Sequence, residues 1–174
     1  MSLSDPSCRI LVLSASLDGA LTFIQRAVDL GVRERSLEPE LADKEPVIFP
    51  WTITNKYYSA DVHFAAHSIR GLSPHVLKDV PAVVFVWTRG EVSRRVRSRR
   101  WLSADKPYRD DVEQLSQDMQ EYEPEVSLAV MMHAETTSTG DEDEGEIDEF
   151  LSSHGFEYVC VTDEARPRDD GKGE

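Results

Sequence analysis

The first segment able to do chemistry is Ser14-Ala15-Ser16-Leu17-Asp18-Gly19-Ala20-Leu21, a small polar loop between an apolar run and an amphipathic one. A phosphate-binding loop at such a junction follows G-x-x-x-x-G-K-[ST]. Its glycines let backbone N–H groups approach phosphate, its lysine neutralises charge, and its hydroxyl holds magnesium. Here there is no lysine and no Ser or Thr at the magnesium position. Asp18 would repel a phosphate and is read instead as the N-cap of the following helix. A magnesium-holding Asp followed by Gly would stand further on, where Phe64 to Gly71 reads FAAHSIRG without a carboxylate. A guanine-reading Asn-Lys-x-Asp would follow the run 126–132, where the chain has His133-Ala134-Glu135-Thr136. Asn55-Lys56 sits in a hairpin turn and cannot take that role.

Other reactive groups are no better arranged. Of the five histidines only His63 and His67 are closely spaced. On a helix such a pair could chelate zinc, but this one straddles a strand end, and turn or surface histidines are expected. Ser14 and Ser16 lack the G-x-S-x-G setting of a nucleophile elbow. The stretch Asp141 to Glu149, DEDEGEIDE, carries seven carboxylates in nine residues and reads as a solvated acidic loop rather than tuned acids. No catalytic, cofactor-binding or metal-ligating residue is assigned.

What remains is suited to recognition. Arg89 to Arg100, RGEVSRRVRSRR, holds six arginines against one glutamate. Arg94, Arg95, Arg97, Arg99 and Arg100 could contact phosphate, nucleic acid or an acidic protein face, or form a solvated loop offsetting the acidic body. Trp101 at the end of this cluster would anchor it to the core. The second candidate is an aromatic hairpin over 47–66. Val47, Phe49, Trp51 and Ile53 alternate with Ile48, Pro50 and Thr52, and Thr54-Asn55-Lys56 supplies the turn. Beyond the turn, Tyr58, Ala60, Val62 and Phe64 alternate with Tyr57, Ser59, Asp61 and His63. Trp51, Tyr58 and Phe64 are read as core, leaving Tyr57, Ser59 and Asp61 outward as partner-binding candidates. Pro50 cannot donate to a ladder, which makes its strand an edge strand with backbone groups open to a partner.

The elements that must position these groups alternate along the chain. Buried strands are expected at 9–14, 81–87, 126–132 and 156–161, and helices at 20–30, 108–122 and 144–154, with Gly31, Pro124 and Gly155 as stops. The order β-α-β-β-β-α-β-α-β implies a three-layer α/β fold with a mostly parallel sheet and one antiparallel edge hairpin. That is a Rossmann-like arrangement of the small-GTPase kind. Residues 33–46 read as a polar connector. Residues 1–162 form one domain, and 163–174, a charged tail, are expected to be disordered.

Composition bounds the class. A chain of 174 residues with 40% hydrophobic content can build one substantial core. The longest apolar run, Pro81 to Trp87, is strand-sized and cannot span a membrane. A formal charge of −14 argues against general nucleic-acid binding. Cys8 and Cys160 give neither metal spacing nor a disulfide framework, and buried thiols are expected. The start MSLSDPSCRI lacks a secretory pattern, so a cytoplasmic location is expected.

The block Pro50-Trp51-Thr52-Ile53 with Asn55-Lys56-Tyr57-Tyr58-Ser59-Ala60-Asp61 resembles a hallmark of the alpha- and gamma-adaptin-binding protein family and its fungal members. A weaker match is His154-Gly155-Phe156-Glu157 before the last apolar run. Elsewhere the likeness is in the order of strands and helices only. The resemblance implies a GTPase-like domain without nucleotide chemistry or cofactor, which assists assembly of clathrin adaptor complexes. The implied partners are γ or α adaptin and the small σ chains. The alternatives are a GTP-binding switch with a degenerate pocket, or a phosphate or nucleic-acid binder acting through Arg94 to Arg100.

Overall fold

The computed structural model describes residues 6–31, 46–88, 107–132 and 144–161. A 3-10 turn at Pro6–Cys8 leads into β1 (Arg9–Ser14), and α1 (Leu17–Gly31) follows. The hairpin is β2 (Val47–Thr54) and β3 (Ser59–Ser68), and a second 3-10 turn at Pro74–Leu77 precedes β4 (Ala82–Thr88). Then come α2 (Pro107–Met119), β5 (Val126–Met132), α3 (Glu144–Ser153) and β6 (Glu157–Val161). The strands form one sheet in the order β2-β3-β1-β4-β5-β6. Only the β2–β3 pair is antiparallel. This is the three-layer, Rossmann-like α/β arrangement expected from the alternation of elements.

The interior strands explain their own position. Val83 to Trp87 on β4 are buried consecutively, as are Ala129 to Met132 on β5. A run apolar on both faces belongs inside a covered sheet. Successive residues then feed two separate cores. Leu11, Leu13, Phe85 and Met131 pack with Val112 and Leu115 of α2 and Ile147 and Leu151 of α3. Val12, Val84, Val86 and Val130 pack with Ala20, Ile24 and Val28 of α1. One helix therefore covers one face and two helices cover the other.

Several boundaries differ from expectation. Asp18 is not the cap of α1; it lies in the first turn, and Ser16 Oγ accepts the Gly19 N–H at 3.3 Å in the N-cap role. Helix α2 stops at Met119, and Tyr122 N and Glu123 N both donate to the Met119 carbonyl at 3.0 Å. Glu123 takes a positive φ of 39°, so the chain turns before Pro124 is reached. Gly155 ends α3 as expected, at φ 82°, with Phe156 N donating to the Leu151 carbonyl at 3.0 Å. The two thiols are not on neighbouring strands, because Cys8 precedes β1 while Cys160 lies on β6, three strands away in the sheet. Each is half-buried rather than buried.

Pro50 fits because of register. Asn55 N donates to the Tyr58 carbonyl at 3.0 Å, which makes Asn55–Tyr58 a hydrogen-bonded position of the antiparallel ladder. Such positions alternate, so Ile53–Ala60, Trp51–Val62 and Phe49–Phe64 bond across the pair. Pro50 pairs with His63 at an intervening position, where its nitrogen faces the open side of β2. The missing N–H is one the sheet never uses.

Candidate functional site

Among the described residues two places could carry function: the β1–α1 junction, where nucleotide chemistry would reside in such a fold, and the hairpin tip.

At the junction only Ala15 and Ser16 separate β1 from α1. Three hydrogen bonds knit the junction to its neighbours. Ile69 N donates to the Ser14 carbonyl at 2.8 Å, Ser68 Oγ to the Ala15 carbonyl at 3.5 Å, and Gly19 N to Ser16 Oγ. Gly19 is a steric requirement, since a Cβ there would stand 2.5 Å from Ser14 Oγ. Ser14 itself is buried and, among the described residues, its hydroxyl has no hydrogen-bond partner. The helix thus starts directly against the strand end, with no wrapping loop of backbone N–H groups and with Asp18 in its first turn.

The hairpin tip is built in the opposite sense, outward. Strand β1 supports β3 only from His63 onward, through the Arg9–His63 pairing. Five residues of β3 and its turn, back to Tyr58, project about 16 Å past that pairing at ~3.3 Å per residue. Two side-chain rungs tie this ribbon together. Thr52 Oγ1 donates to Asp61 Oδ1 at 2.8 Å, and the Thr54 and Ser59 hydroxyls bond at 3.0 Å. Asn55 Oδ1 accepts from Tyr57 N at 2.8 Å and from Tyr58 N at 3.0 Å. This Asx turn holds the tip in one shape. Tyr57 is 80% exposed and Tyr58 58%, the most exposed large apolar side chains among the described residues. Lys56 Nζ sits 4.6 Å above the Tyr57 ring.

The expected site residues are therefore redistributed. Tyr57 is presented as anticipated. Ser59 and Asp61 are exposed but their side chains bond across the hairpin, so they stiffen the tip. Tyr58 was expected in the core and is not, because no strand lies beneath the turn to receive it. Trp51 and Phe64 do pack inward, their rings stacked 5.1 Å apart. The reading missed Tyr58 and Lys56 as tip residues. The signal was the length of β1, whose six residues can back only the last six of β3.

The closely spaced histidine pair is neither at the surface nor in a turn, whereas His75 is exposed in the second 3-10 turn and His154 lies in the turn after α3. His63 and His67 both lie within β3 and are buried, at 3% and 8% exposure. Four residues apart on a strand they share one face but stand about 13 Å from each other, too far to ligate one ion. Arg9 Nε approaches His63 Nε2 at 3.5 Å, and His67 Nδ1 lies 2.6 Å from the Ser68 carbonyl. No group of metal-ligating residues occurs among the described residues. Within the same residues no helix is long and apolar enough to cross a membrane. Arg94, Arg95, Arg97, Arg99, Arg100 and Trp101 lie outside the described residues, as do residues 33–45 of the 33–46 connector, the start of the acidic stretch and the 163–174 tail.

A scan against protein-family models finds no match, and a search of curated proteins finds no significant one.

Proposed function

We propose that this chain is a non-catalytic protein-binding domain that assists assembly of clathrin adaptor complexes in the cytoplasm. It would hold γ or α adaptin and a σ chain while their mutual interface is still exposed. The observation that carries the reading is the coincidence of the adaptin-binding-like block, Pro50 to Asp61, with a rigid tip standing clear of the sheet. Residues that resemble a family's hallmark and merely filled a core would argue for fold alone. Here Lys56, Tyr57 and Tyr58 are exposed, which supports a contact role. Transient shielding of apolar subunit surface is the chemical task such a chaperone performs, because exposed interface promotes aggregation.

The two-residue β1–α1 connection supports a domain without GTP hydrolysis over a nucleotide switch. The reading of Arg94 to Arg100 as a phosphate or nucleic-acid contact remains a separate proposal, marked by steep salt dependence and loss on joint neutralisation. The main test is recovery of γ, α and σ adaptin chains by the tagged protein from cell lysate, repeated with purified subunits. Failure to bind any of them removes the adaptor reading. Micromolar binding of GTP with magnesium in a calorimetric titration would restore the switch reading.

A further inference from the structure

The hairpin offers a partner two unlike surfaces: the open edge of β2 and the aromatic tip. Along the edge, the outward backbone groups belong to Ile48, Pro50, Thr52 and Thr54, by the ladder alternation. Pro50 removes the donor in the middle of that row. An added strand would meet a gap between Ile48 and Thr52, the device by which natural edges resist strand addition. The tip has no such defect. It is held by Asn55 and by the two rungs, so little freedom is lost when it is engaged. Tyrosine supplies large, stiff contact area with a polar end, the composition favoured in protein recognition.

Charge identifies the receiving surface. Between Pro50 and Ala60 the only charged side chain is Lys56, on a chain whose net charge is −14. A cation at the tip of an acidic protein favours an oriented approach to a negative site. We infer that the segment Lys56-Tyr57-Tyr58 inserts into an apolar cleft with a carboxylate on its rim, on the folded partner of this domain. Tyr57 and Tyr58 fill the cleft, and Lys56 pairs with the rim carboxylate. The inference rests on the adaptor-binding reading for the partner's identity, and it makes insertion rather than strand pairing the mode of contact.

The test measures binding of the full chain to purified γ- and α-adaptin subunits, each with its σ chain, by calorimetry. Tyr57→Ser and Tyr58→Ser are expected to weaken binding about 30-fold each, as central tyrosines do. Lys56→Glu is expected to weaken it about 10-fold and to remove its salt dependence. Melting temperatures should be unchanged, since all three side chains are exposed. If the natural chain binds and the variants bind equally well, insertion of the tip is overturned while the adaptor reading stands. If the natural chain binds no adaptin pair, both are overturned together. Tip-dependent cosedimentation with phosphatidylserine vesicles, or a tip-dependent dimer in sedimentation, would likewise overturn a cleft on the adaptin partner as the receiving surface.

Discussion

Asn55 and Tyr58 bond each other twice: Asn55 N donates to the Tyr58 carbonyl, and Tyr58 N donates to Asn55 Oδ1, both at 3.0 Å. One side chain thereby closes the hairpin at the point where the sheet no longer supports it. Asn55→Ala removes the side-chain acceptor for both Tyr57 N and Tyr58 N. The expected loss is about 1 kcal/mol, confined to the ribbon. Amide exchange at Ile53 and Ala60 should quicken about five-fold, while exchange in β4 and β5 stays unchanged.

Ser14 and Gly19 define the second prediction. A hydroxyl buried without a partner is a cost, so Ser14→Ala is expected to stabilise the protein by about 1 kcal/mol in urea denaturation. Gly19→Ala places a methyl 2.5 Å from Ser14 Oγ and should destabilise by about 2 kcal/mol despite its better helix propensity. The pair should not be additive. Removing Oγ relieves the shortest contact, so the double variant should recover most of the Gly19→Ala loss, the remainder coming from the Ser14 Cβ at 3.2 Å. Additive effects would mean that helix and strand end separate locally and the close approach is not enforced.

Which features were legible follows from how local their causes are. The buried runs at 9–14 and 126–132 coincide with β1 and β5, because a strand apolar on both faces announces itself without reference to neighbours. The stop at Gly155 was likewise readable, since a left-handed residue ends a helix locally. Asp18 was misassigned because Ser16 and Asp18 are equally good capping residues, and the choice depends on how closely the helix approaches Ser14. Tyr58 and His63 were misassigned for one shared reason. Alternation along β3 tells which residues share a face, but not where β1 begins. Residues 63–67, backed by β1, are enclosed whatever their polarity, and residues 57–59 are exposed whatever theirs. The outward turn of Pro50 was legible as an edge signal, and the register supplies its reason.

Pro50 gives a third prediction. Pro50→Thr restores an outward N–H midway along the open side of β2 and favours β structure. Folding stability should change little, since no existing ladder bond is involved. Self-association should rise, visible as concentration-dependent growth in scattering or sedimentation. A variant that stays as monodisperse as the natural chain would show that the proline is not what protects this edge.

Trp51 supplies the last. Its indole stacks on Phe64 at 5.1 Å with an interplanar angle of 26°, and it packs against the α1-side core. Its Nε1–H, however, is buried without an acceptor among the described residues. The two contributions oppose each other. The ring stack and apolar burial of a half-buried indole stabilise by about 2 kcal/mol, and an unpaired buried donor costs about 1 kcal/mol. Trp51→Phe keeps the stack, loses some area and removes the unpaired donor, so its net effect should fall within about 0.5 kcal/mol of zero. Trp51→Ala loses the stack as well as the unpaired donor and should cost about 1 kcal/mol net. Because Trp51 bonds across to Val62, in the last pair before β1 takes over, the alanine variant should also loosen the tip and weaken partner binding. The phenylalanine variant should bind as the natural chain does. Equal losses of binding in both variants would mean that the full indole area, and not the ring stack alone, holds the tip in shape.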